Sequence, residues 1–210
     1  MIAALILAAA TAHPVLPAQG TYTYTFEAAG KPLGTTQVVI KRNGDAIGVS
    51  ESGTVESTQF STQSSYDAAL REERYDLTLS ATQQLHAVVG PAGVDFTGLG
   101  TQHLDTSKAP RAIVDDGLAS GLVLLPAIFA SGGSGMSFVT TNAPRVIPIE
   151  LAPATEHPPA GIAPGALGLR VSGGGITQTL WYDPKTLVVL GFDGAGGFTL
   201  RLTPPKSATP

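Results

Sequence analysis

The chain has no cysteine, which excludes disulfides, thiolate nucleophiles, thiolate metal sites and lipid attachment on cysteine together. Charge is scarce too. Asp, Glu, Lys and Arg make 13% of the residues, about half their share in an average soluble protein, so Ser, Thr, Gln and Gly must supply the surface polarity. Twelve Lys and Arg against sixteen Asp and Glu leave a net charge of -4. Nucleic acid calls for clustered positive charge, so no nucleic-acid partner is expected. Apolar runs are short. None reaches the roughly 18 residues of a membrane span, and no transmembrane segment is expected in the mature chain.

Gly and Pro, by contrast, are plentiful, at 25 and 16 of 210 residues. That composition suits many tight turns and argues against long helices. The length fits one β domain with a real core. At the N-terminus an apolar stretch from Ile2 to Ala10 is followed by Ala10-Thr11-Ala12, a small-x-small pattern typical of a cleaved export signal, although no Lys or Arg precedes it. Residues 1–18 are therefore expected to be a signal peptide and short leader. Residues 19–203 then form the single β domain, and 204–210 a disordered tail. The expected location is periplasmic or extracellular, in a bacterium.

From Thr21 the chain alternates, with Tyr22, Tyr24 and Phe26 on one face and threonines on the other, the pattern of a half-buried strand. A turn at Gly30 to Gly34 leads to a strand over 35–42. Asn43-Gly44 then predicts a type I′ hairpin turn, and a strand from Asp45 to Glu56 places Ile47, Val49 and Val55 on one side. Strand character continues over 59–70. Tyr75, Leu77 and Leu79 give a clear period of two. Across the turn Gly90 to Gly93, Val89 should oppose Val94 and Ala87 oppose Phe96, leaving His86, Val88, Asp95 and Thr97 on the far face. Residues 100–111 read as a polar connection. Pro144 and Pro148 mark 145–151 as an edge or irregular strand. A loop over 152–165 precedes a meander of four strands, over 166–171, 176–182, 187–192 and 197–202, with short turns between them.

One stretch, Ile113 to Ala130, reads as helix. Leu118, Leu122, Leu125 and Phe129 recur at helical spacing, and Asp115 or Asp116 can cap the N-terminus. Pro126 predicts a kink or break, with a second short turn starting there. Ser131 to Gly135 follows as a Gly-rich joint. The fold class is thus all-β and mainly antiparallel. It should form a curled sheet or half-barrel of about ten or eleven strands with one helical insert covering its concave face.

Several chemistries find little support. Ser134 lies in Gly-Gly-Ser-Gly-Met, which fails the nucleophile-elbow pattern. His103 with Asp105, joined by Asp95 or His86, is the best metal grouping, and solvated surface groups are the simpler reading. Glu72-Glu73 and Asp115-Asp116 are adjacent acids whose members point apart in a strand, and the first pair, between Arg71 and Arg74, reads as a solvated turn. No cofactor is indicated. The aromatics Tyr22, Tyr24, Phe26, Phe129 and either Trp181 or Tyr182, which cannot both point inward, are ordinary core or the lining of an apolar pocket.

Tyr22-Thr-Tyr-Thr-Phe26, the Gly30 to Gly34 turn and Trp181-Tyr182-Asp183-Pro184-Lys185-Thr186 resemble bacterial exported proteins of unknown function whose fold is similar to the lipoprotein-carrier half-barrels. Those carriers hold acyl chains between a curled sheet and a helical lid. The resemblance implies a non-catalytic binding protein holding a lipid or other apolar ligand between sheet and insert, and carries over no ligand-contacting residue. The candidate ligand-binding residues come from the aromatics and the helical stripe, and are Tyr22, Tyr24, Phe26, Leu118, Leu122, Leu125, Phe129 and Trp181. A structural or interaction protein of the cell envelope, with a filled core and an envelope protein as its partner, is the alternative. A hydrolase comes last.

Overall fold

The computed structural model describes residues 15–91, 93–98, 100–105, 112–115, 118–133, 135–139 and 145–203. The proposed signal core, Asp116, Ser134 and the expected C-terminal tail from Pro204 lie outside them. The strands are β1 Gly20–Ala28, β2 Lys31–Asn43, β3 Ala46–Val55, β4 Thr58–Tyr66, β5 Glu72–Ser80, β6 Gln83–Val89, β7 Gly93–Thr97, β8 Gln102–Asp105, β9 Ile113–Asp115, β10 Gly135–Val139, β11 Arg145–Pro153, β12 Leu167–Gly173, β13 Ile176–Tyr182, β14 Val189–Asp193 and β15 Phe198–Leu202. Among the described residues they form one open, curled sheet in the order β8-β7-β6-β5-β4-β3-β2-β1-β15-β14-β13-β12-β11-β10-β9. The order follows the chain except where β1 closes against β15. All neighbours are antiparallel save β9 and β10, which run parallel.

The fold class is therefore the expected one, with more strands than the ten or eleven counted. The extra ones are short. β8 falls in the supposed polar connection and pairs Asp95 with His103, while β9 takes the start of the supposed helix. Val89 does oppose Val94, and Ala87 does oppose Phe96. Two turns differ in kind. The β2–β3 loop is Gly44-Asp45, one residue later than expected, with Asn43 opposite Ala46. Only Gly44 has positive φ, 61°, so the turn is of the II′ kind that wants Gly first. The β12–β13 turn has both Gly174 and Gly175 at positive φ, as type I′ requires.

β11 is not an edge strand. Its first half pairs with β10 and its second half, from Glu150, with β12. Pro148 therefore sits where no β12 residue opposes it, and its missing N–H costs that ladder nothing.

The curled sheet buries Tyr24, Phe26, Val38, Ile40, Ile47, Val49, Leu169, Leu180 and Leu200 on its inner face. Each such side chain contributes about 1.5–3 kcal/mol when fully buried. The expected helix over 113–130 is instead β9 followed by two short helices, α1 Ala119–Leu122 and α2 Leu125–Ala130. Pro126 stands in the first turn of α2, where a missing N–H is harmless, so the predicted break falls just before it. Helix α1 packs on β2, β3, β4 and β9, and Leu122, Leu124, Leu125 and Ile128 join the main core. The insert fills the hollow from within.

β9 turns inward as well. Ile113 packs with Tyr75, Leu77, Leu85, Ala87, Val94 and Phe96, so the sheet curls until its last strand meets the inner face of β5 to β7.

Candidate functional site

Asp115 does not cap α1, contrary to expectation, and Asp116 lies outside the described residues. The N-cap is Leu118, without a side-chain cap bond, and Asp115 is the last residue of β9. The cap comes from across the hollow. Glu51, on β3 and 2% exposed, accepts the N–H of Ala119 at Oε1 (3.2 Å) and of Ser120 at Oε2 (2.8 Å). Odd-numbered positions of β3 face inward, so Glu51 lies in one row with Ile47, Val49 and Val55. Burial raises its carboxyl above the usual range, while the Ser120 and Ala119 donors oppose that rise. The Thr62 hydroxyl adds a bond to Ser120 Oγ at 2.7 Å.

Two more carboxylates fasten the incoming segment. Glu72 is not in a solvated turn. It is 2% exposed and accepts the Ile113 N–H at Oε2. A register shift between Ser65 and Tyr66 in the β4–β5 pairing brings Glu72 opposite Tyr66, which directs it inward while Glu73 stays out. Burial pushes it up to about 8, against the pull of the Ile113 N–H and the Ser64 and Tyr66 hydroxyls. Asp115 Oδ2 accepts the Tyr75 hydroxyl at 2.7 Å. Burial first, then the nearby acidic groups, holds that phenol well above its ordinary pKa, so Tyr75 stays a donor.

The helices and β9 leave one part of the hollow unfilled. A cavity of about 520 Å³ opens at the end where the hairpins β1–β2, β3–β4, β5–β6, β12–β13 and β14–β15 gather. Its wall takes Phe26 from β1, Leu33 from β2, Val55 from β3, Thr58 and Phe60 from β4, and Leu77 and Leu79 from β5. Ile176, Gln178, Phe192 and Phe198 complete it, with Ala195 at the turn between β14 and β15. Asp115 and Leu118 are supplied by the insert. Exposure orders the wall, since Ile176 is 50% exposed at the mouth, whereas Phe26, Phe192, Leu77 and Asp115 are buried. Phe26 meets Phe60 edge-on at 6.1 Å and Phe198 at 5.7 Å, spacings at which aromatic pairs attract beyond area burial.

Of the eight residues expected to hold a ligand, the cavity wall brings together Phe26 and Leu118. Tyr24, Leu122 and Leu125 are wholly buried core, and the Tyr24 hydroxyl donates to the Val189 carbonyl (3.1 Å). Tyr22 and Phe129 pack at the margin of that core. Trp181 lies elsewhere, buried with Ile162 and Ala166 in a separate cluster beneath the 154–166 loop, its indole N–H donating to Asp193 Oδ2 (2.7 Å). It points to the outer face because its parity is opposite to that of Ile176, Gln178 and Leu180. Among the missed wall residues, Val55, Leu77 and Leu79 were readable as inward strand positions, whereas Leu33 lay in the expected turn and reaches the wall at the register shift between β1 and β2, where Phe26 opposes Gly34 and Glu27 opposes Pro32. What marked them as pocket rather than core was their place at one end of the sheet.

The histidine grouping forms in part. His103, on the edge strand β8, bridges Asp95 of β7 (2.6 Å) and Asp105 of β8 (3.3 Å), and the Asp95 bond raises its pKa. His86 pairs instead with Asp76. Among the described residues no set of three His, Asp or Glu is arranged to hold a metal ion, and no helix is long and apolar enough to cross a membrane.

No family model and no curated protein matches the chain. Among solved structures, a DUF1089 family protein from Pseudomonas aeruginosa is similar at a TM-score of 0.47 and 12% identity, over 77% of this chain and 90% of that one.

Proposed function

We propose that the protein is an exported, non-catalytic binding protein that holds a lipid or other apolar ligand in the cavity at the hairpin end of its sheet. The cavity carries the reading. It falls within the ~300–1,000 Å³ of small-molecule sites, and its wall is mostly apolar and aromatic with a few polar groups, as such sites are. The buried carboxylates support it indirectly. By fixing the insert to β3 and β5 they keep the hollow from collapsing around Leu118. Export rests on the Ile2–Ala10 run and the small residues after it, and N-terminal sequencing of the secreted chain tests it.

Binding is tested with N-phenyl-1-naphthylamine, a neutral dye that brightens in apolar sites. The wild type should bind it saturably. Leu79→Trp, which adds bulk to a half-buried wall position, should weaken binding by about tenfold or more, a loss of about 1.4 kcal/mol, with an unchanged far-ultraviolet spectrum. Equal binding by both chains would remove the cavity from consideration.

The envelope-interaction reading is favoured by one observation, the filling of much of the hollow by Leu122, Leu125 and Ile128. Under that reading the dye fails to bind, and a stable protein partner is recovered from envelope extracts by cross-linking.

A further inference from the structure

The cavity is broad and shallow. On β5 and β13 its lining residues are the two inward positions nearest the hairpin turns, Leu77 with Leu79 and Ile176 with Gln178. The next inward positions are already taken. Tyr75 bonds Asp115 and Leu180 lies in the main core, while Glu51 on β3 and Thr62 on β4 bond residues of α1. Two inward positions cover about 7 Å of strand, and the turn beyond them brings the depth to roughly 10 Å. The breadth is larger. The wall takes residues from β5 round to β13, eight neighbouring strands of the sheet. At about 4.8 Å between neighbours they trace an arc of about 34 Å.

An extended chain advances about 1.2 Å per backbone atom, so one entering end-on runs out of cavity after roughly eight atoms. A rigid ring system can lie across the bowl instead. It also gives up less conformational freedom on binding than a chain does. The wall suits it, because Phe26, Phe60, Phe192 and Phe198 present stiff, flat surfaces. A polar group at the mouth meets Thr58, which is exposed, and Gln178, which is half-buried.

Building on the binding reading above, we infer that the cavity selects a fused-ring apolar molecule over a long straight-chain lipid. The ring system lies across the bowl against the phenylalanines, with its polar group at the mouth.

The test displaces bound N-phenyl-1-naphthylamine from the full chain with straight-chain alcohols from hexanol to tetradecanol and with epiandrosterone, a neutral fused-ring alcohol, each below its solubility limit. Displacement should strengthen about fourfold per carbon while the added methylene is buried, which is ~0.8 kcal/mol each. It should level off beyond roughly eight carbons. Epiandrosterone should act at least about tenfold more strongly than octanol. A rise that continues at about fourfold per carbon to tetradecanol, or a steroid within about tenfold of octanol, would overturn the inference and leave the binding reading standing. Failure of the dye itself to bind would overturn both.

Discussion

Replacing Glu51 by Gln isolates the clamp that holds the insert. In the folded chain both carboxylate oxygens are engaged, Oε1 by Ala119 N–H and Oε2 by Ser120 N–H. An amide of the same shape has one acceptor and presents its NH₂ to the other backbone donor. One buried N–H is thereby left unmatched, which costs about 1–3 kcal/mol. Truncation to Ala abandons both donors, so about 2–6 kcal/mol is expected on the same basis. Domains of this kind hold about 5–15 kcal/mol in total, and the Ala variant should be close to unfolding. Urea unfolding followed by circular dichroism should show a lower midpoint for Glu51→Gln with an unchanged slope. Amide exchange should speed up at Ala119 and Ser120 before it does in β3 and β4. If Glu51→Gln costs less than about 0.5 kcal/mol, the size of a neutral surface change, and both amides stay protected, the carboxylate is not the cap and the account of the insert fails.

Glu72 makes the fold sensitive to pH. Its folded value of about 8 stands above the ordinary 4.5, so the folded chain keeps a proton that the unfolded chain releases. On this group's account stability is greatest below about pH 4.5 and declines as pH rises through about 8. Glu51, shifted in the same direction, adds to the decline. Glu72→Gln should flatten the dependence of the urea midpoint between about pH 5 and 9, and an unchanged slope would count against Glu72 as its source. A Cβ at Gly34 would run into the Thr54 carbonyl oxygen, whereas at Gly48 it would meet nothing within 4 Å. Gly34→Ala should therefore cost at least about 1–3 kcal/mol, with Gly48→Ala as the milder control in the same unfolding assay. Trp181 is the only tryptophan of the chain, and it is 3% exposed on the face away from the cavity. Its emission should be blue-shifted and indifferent to dodecanol, and a spectral change on adding the alcohol would place the ligand elsewhere.

The class of the fold and most of its strands follow from the amino-acid pattern alone. Alternation is a local property, and the residues that make it, from Tyr22 to Phe26 or Tyr75 to Leu79, need no distant partner to be read. The break at Pro126 was legible for the same reason, because a missing N–H acts within one turn. That Ile113–Asp115 is strand depended on long-range packing, since three residues gain a ladder from β10 and a carboxylate from β5 that lie far off in the chain. The meaning of the acids was settled in the same way. Glu51 stood among inward positions as a warning, but its role depends on a helix terminus 68 residues later. Glu72 looked solvated beside its arginines until a register shift in β5 turned it inward. The cavity belongs to the same category. Phe26 and Leu79 differ little in pattern from Tyr24 and Tyr75, and whether such residues meet each other or an empty space depends on how far the insert reaches along the hollow.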